Sequence, residues 1–148
     1  MKGTVTLECR RADGSLKWRD VVHNGITNAG LAEIAGLAGN TGSPTAFSFL
    51  AVGTSTTAFA ASQTTLGAEI TTGGLARNAA TVSRTTTTVT NDTLRLTHTW
   101  TASATHAVEE TGIFNDASAG DMLGRALTTT KNVVSGETLV VTYDVSFA

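Results

Sequence analysis

The 148-residue chain has one cysteine and one proline, and only 15% of its residues are charged. Each shortage excludes something. A lone Cys9 rules out an intrachain disulfide framework and any cysteine-built metal site. At strand spacing from Val5 and Leu7, it reads as a small core side chain. With Pro44 the sole proline, turns must rest on the 15 glycines and on Asn and Asp. Charge at 15% lies well below the roughly 25% of an average soluble domain. With a net charge of -2, no basic cluster is left for phosphate contacts, so nucleic-acid binding is not expected. No apolar run reaches the roughly 18 residues that suggest a membrane span. Met1-Lys2-Gly3-Thr4 lacks an apolar signal region, so folding in the cytoplasm is expected.

Threonine fills the gap. Runs at Thr85–Thr88 and Thr128–Thr130 recur, with Thr64-Thr65 and Thr71-Thr72 between them. A β-branched polar residue suits a pleated, half-wet surface and disfavours helix. Period-two alternation is clearest at the end of the chain. There Leu139, Val141, Tyr143, Val145 and Phe147 oppose Val140, Thr142, Asp144 and Ser146. Val5, Leu7 and Cys9 alternate likewise, and Asp13-Gly14 turns the chain into a return strand from Leu16 to Val22.

One helix is expected, at about residues 27–39, with Thr27 as N-cap, Ile26 and Leu31 as a hydrophobic staple, and Gly39-Asn40 as the stop. Leu31, Ile34, Ala35 and Ala38 form its apolar face. Phe47–Gly53 reads as a buried strand. Thr54–Gly74 reads as an ordered loop with a helical turn near Gln63–Ala68, anchored by Leu66 and Ile70, and needing a partner surface to order it. Arg77–Val89 and Leu94–Ser103 read as a long hairpin across Asn91-Asp92. Strands at Val108–Asn115 and Met122–Thr128 precede the closing one. Eight or so short strands at regular spacing predict a mainly β, antiparallel sandwich or barrel-like single domain over residues 1–148.

The expected chemistry is none. A nucleophilic site needs Ser or Cys with His and an orienting carboxylate, and no Gly-x-Ser-x-Gly elbow occurs. His106 and Glu109 fall on opposite faces of an extended strand, a poor metal pair, and the adjacent Glu109 and Glu110 split the same way. Glu110 reads as a brace to a nearby loop. His98, between Leu96 and Trp100, reads as packed. Lys17 and Arg19, outward beside an inward Trp18, are candidates for the rim of an interface with an acidic partner. The chain is therefore expected not to be an enzyme, with no catalytic, cofactor or metal residues and no cofactor.

A series of short motifs follows one another along the chain. Lys17-Trp18 comes first, then Val22-His23-Asn24-Gly25-Ile26-Thr27-Asn28-Ala29-Gly30-Leu31 running into the helix. Leu50–Thr57, Gln63–Ile70, Glu109–Asn115 and Asp121–Arg125 follow, and then the Thr138–Phe147 strand. From about Leu16 to Phe147 this series resembles small structural proteins of tailed bacteriophages, variously decoration, tail or tail-fibre proteins. The resemblance implies a virion location. The first expectation is a capsid decoration (cement) protein, a homotrimer clamping the major capsid protein on the outside of the head. The alternative is a tail, baseplate or fibre-attachment component of the same virion. A carbohydrate-binding module ranks last, because Trp18 and Trp100 both lie on apolar strand faces.

Overall fold

The alternation that marks the two ends of the chain brings them side by side. In the computed structural model, which describes residues 1–148, β1 (Lys2–Arg10) pairs antiparallel with β9 (Thr138–Ser146) along its length, Val5 facing Tyr143 and Cys9 facing Leu139. β2 (Leu16–Ile26) returns along the other edge of β1 across a turn in which Asp13 accepts from the Ser15 N–H and hydroxyl. The remaining strands are β3 (Phe49–Gly53), β4 (Asn78–Ala79), β5 (Thr81–Thr85), β6 (Thr93–Thr101), β7 (His106–Phe114) and β8 (Met122–Val133). All nine form one antiparallel sheet in the order β4-β3-β7-β8-β2-β1-β9-β6-β5, nearly closed into a barrel. The fold is mainly β with a single helix, α1 (Asn28–Gly39).

The inward faces fill the barrel. Val5, Leu7 and Cys9 of β1, Leu50 and Val52 of β3, Leu96 and Trp100 of β6, and Leu139, Val141, Tyr143 and Val145 of β9 form its main core. His98 shares that face and meets Trp100 edge-on, ring centroids 4.5 Å apart, where burial lowers its pKa. The Trp100 indole N–H donates to the Ala76 carbonyl, which keeps its one polar atom satisfied inside.

Two halves of the sheet join narrowly. β2 and β8 pair only at Asn24–Ala126, Gly25–Arg125 and Ile26–Gly124. Farther along, the β7–β8 register passes from Glu110–Leu127 to Val108–Lys131, so Thr128-Thr129-Thr130 bulges out opposite Glu109. Side chains span the opening instead: Thr128 donates to Asp20, and Lys17 and the Trp18 indole both donate to the Asn132 carbonyl.

Several expectations change. The long hairpin is shorter and starts later, because Arg77 precedes β4 and the chain then divides between two edges. β4 pairs with β3, and β5 with β6. The Asp92 carboxylate gathers the N–H groups of Thr87, Thr88 and Val89, which curls Thr86–Val89 into the loop where the strand was expected to continue. The third strand starts at Phe49, not Phe47. Thr27 does cap α1, accepting from the Gly30 N–H while its hydroxyl donates to the Met122 carbonyl. The expected apolar face, however, is not what the helix buries. Leu31 is 47% exposed and Ala35 and Ala38 are exposed, while Gly30 alone is buried. A Cβ at Gly30 would lie 2.6 Å from the Leu123 backbone, so the close approach is made by a glycine at the helix start, and of the expected face only Ile34 packs against the main core.

β7 was expected to pack near the closing strand. Its neighbours are instead β3 and β8, and Phe114 belongs to a separate cluster with Ala51, Leu66 and Met122. Phe147 lies beyond β9 and is 49% exposed. Phe114→Ala is expected to lower unfolding free energy by about 3–5 kcal/mol in urea titration, since the ring is fully buried. A loss under about 1 kcal/mol would mean that this cluster collapses around the gap. Backbone N–H donors from Val89 and Thr87 hold the Asp92 carboxyl below its ordinary pKa. A carboxyl depressed in the folded state stabilises above its unfolded pKa and loses that contribution as pH falls. Asp92→Asn should therefore flatten the decline in Tm below about pH 4, with little effect on the slope near neutrality.

Candidate functional site

β7 does not alternate between buried and exposed. From Glu110 to Phe114 every residue is buried, which requires cover on both faces of the strand. Ile113 points into the barrel, whereas Glu110, Gly112 and Phe114 point outward and are covered by the segment Thr54–Arg77. Cross-strand pairing lines up small residues on that outer face: Gly53 beside Glu110, and Ala51 and Arg125 on either side of Gly112. Gly53 leaves no room for a side chain, because a Cβ there would lie 2.6 Å from the Ala68 carbonyl oxygen.

An ion pair lies under this cover. Arg125 Nε is 2.6 Å from Glu110 Oε2, and both side chains are completely shielded from solvent. Two charges removed from water are tolerated only when their remaining donors and acceptors are used. The loop uses them. Glu110 accepts from Ala68 N at 2.8 Å, Gly67 N at 3.0 Å and Ser55 N at 3.3 Å. Arg125 Nη1 donates to the Thr57 carbonyl at 2.8 Å and to Gln63 Oε1 at 3.3 Å. Gln63 in turn accepts from Ala60 N and donates to the Ala58 carbonyl. At the far end of the segment Arg77 makes a bidentate pair with Glu69, reaches the Asp116 and Ala119 carbonyls, and lies 3.6 Å over the Phe114 ring.

The loop therefore orders itself on its own sheet, where a partner surface was expected. Leu66 and Ile70 are buried as anchors, but Gln63–Ala68 forms no helical turn. Glu110 is the brace that alternation suggested. Glu109, on the other side of the strand, accepts from the Thr130 hydroxyl. Lys17 pairs with Glu137 of the same chain at 2.8 Å, whereas Arg19, 3.6 Å from Glu8, stays exposed at the surface. Glu137 also accepts from the Cys9 thiol and the Val134 N–H. Burial, together with that acceptor, pushes the Cys9 thiol up to about 11, which makes it a poor nucleophile. No three His, Cys, Asp or Glu side chains group so as to hold a metal ion.

Arg125 is the partner that reading the sequence missed. Its signal was an arginine between Leu123-Gly124 and Ala126-Leu127 in a strand otherwise apolar. Such a charge needs a buried counterpart, and the acidic pair at Glu109-Glu110 was the available one.

Glu110→Gln and Arg125→Met are each expected to cost about 3–5 kcal/mol in urea unfolding, because each strands a buried charge. The double variant Glu110→Leu/Arg125→Met should recover much of that loss, yet expose Thr54–Gly74 to thermolysin. Protection of the loop in the double variant would show that the ion pair does not hold it.

Compared with protein-family models, with curated proteins and with solved structures, the chain matches none.

Proposed function

We propose that this protein is a structural component of a tailed-bacteriophage virion, a decoration protein that binds the outside of the head and stabilises it without catalysis. The observation that carries the reading is the Thr54–Thr65 surface. It is rich in Thr, Ser and Ala, largely exposed, and held from beneath by Glu110 and Arg125. A preordered surface of short side chains loses little conformational entropy on docking and can pack flush against a repeating lattice. The motif series from Leu16 to Phe147 supports the same assignment. At high copy number many weak contacts of this kind add up through avidity. A homotrimer bound to the major capsid protein is part of the proposal.

Virions lacking the protein should lose heat and chelator resistance and regain it when purified protein is added back. Thr56→Arg and Thr64→Arg, both at exposed positions, should abolish rebinding while leaving the Tm of the isolated protein unchanged. Light scattering on the free protein should give three times the monomer mass. Heads of unchanged stability, with the protein recovered in low copy from tails, would overturn the decoration reading in favour of a tail or baseplate role.

A further inference from the structure

The barrel's seam is open on its apolar side. Between α1 and β5 runs a groove of about 740 Å³, lined by nine residues of which eight are hydrophobic, Ile34, Leu37, Phe47, Val82, Leu94 and Phe147 among them. Val82 faces Leu96 across the β5–β6 pair and Arg84 faces Leu94. Residues directly opposite in a sheet point to the same side, and Leu96 is fully buried in the main core. Val82 and Arg84 therefore point to the interior side of the barrel, yet Val82 is 46% exposed and Arg84 is exposed. Leu37 and Phe147 on the facing wall are 40% and 49% exposed. The chain's own segments leave this part of the interior uncovered.

Two further features bear on what covers it. β5 ends the sheet, so its second edge carries unpaired backbone groups beside the groove. Arg84 is also the one arginine of the chain's seven whose guanidinium makes neither an ion pair nor a hydrogen bond. Arg19, Arg77, Arg95 and Arg125 form ion pairs, and Arg10 and Arg11 donate to backbone carbonyls. A lone guanidinium on the wall of an apolar groove selects a carboxylate over a neutral or cationic group.

We propose that this groove binds an extended segment of a partner protein, added as a strand to the free edge of β5. Its alternate side chains would be apolar, with one Asp or Glu placed against Arg84. Such a strand meets all three features at once: its backbone pairs the open edge, its apolar residues cover Val82, Leu37 and Phe147, and its acid meets Arg84. A second copy of this chain fits worse, because antiparallel β5–β5 pairing brings another Arg84 into the groove with no acid to meet it. An apolar carboxylate of lipid type would satisfy the groove and Arg84 but leave the β5 edge unpaired. The proposal is independent of the virion assignment.

The test uses three blocked synthetic hexapeptides, Val-Thr-Glu-Thr-Val-Thr, whose valines and glutamate share one face, and its Gln and Lys counterparts at the third position, together with laurate. Each is titrated against the intact protein by amide NMR with hydrogen exchange. The Glu peptide should bind and protect the edge-facing amides of β5, with the Lys peptide weaker by about tenfold or more. Arg84→Glu should reverse that order, and Arg84→Ala should abolish the discrimination. Equal binding of the Glu and Lys peptides, or failure of the Glu peptide to protect β5, would overturn the proposal. So would an order unchanged in Arg84→Glu. Laurate binding without peptide binding would replace the strand with an amphiphile, and concentration-dependent self-association through β5 would replace it with a second copy.

Discussion

A salt bridge with no access to water is the constraint around which one side of this molecule is built. Glu110 and Arg125 come from neighbouring strands on the outer face of the barrel, a surface that ordinarily faces solvent. Leaving them there would have allowed hydration. Covering them instead requires a partner for nearly every remaining lone pair and N–H. The backbone of Ser55, Thr57, Gly67 and Ala68 supplies those partners for all but Arg125 Nη2. The pair contributes less as a source of net stability than as a template. Its bonds to Ser55, Thr57, Gln63, Gly67 and Ala68 hold in place a segment whose own apolar anchors are Leu66 and Ile70.

The sheet is consequently two-sided where β3, β7 and β8 run together. Its inner face belongs to the large core and its outer face to a second, smaller one with Ala51, Leu66, Phe114 and Met122, over which Arg77 closes. Elsewhere the outer face is plain threonine-rich strand surface. This asymmetry gives the molecule one built-up side and, around the seam at β5, one that is left open.

Much of this was legible in the sequence, and the failures share a cause. Alternation in Val5–Cys9, Leu94–Trp100 and Leu139–Val145 identified strands and their inward faces, because a period of two depends only on backbone geometry. Thr27, Asp13-Gly14 and Asn91-Asp92 marked a cap and two turns, since capping and turn chemistry are local. The partner of Glu110 was not legible, because it lies 15 residues away and depends on register. Nor was the helix orientation. Of the expected stripe Ile34 packs against the core, but Leu31 and Ala35 are exposed and Gly30 makes the closest contact, so tertiary packing overrode most of the pattern. The buried run Glu110–Phe114 broke alternation, which in hindsight marks a strand covered on both sides.

The position of β9 has a consequence for how the fold is reached. The last strand in chain order lies between the first and the sixth, pairing with β1 on one edge and β6 on the other. Until residues 138–146 have been synthesised, that half of the sheet lacks its middle member, and β1–β2 and β5–β6 remain hairpins with no shared neighbour. Loop closure across most of the chain must come before the contacts that reward it, a topology associated with folding in milliseconds to seconds. Truncation by a few residues at β9 would remove the joint between the β1–β2 and β5–β6 hairpins.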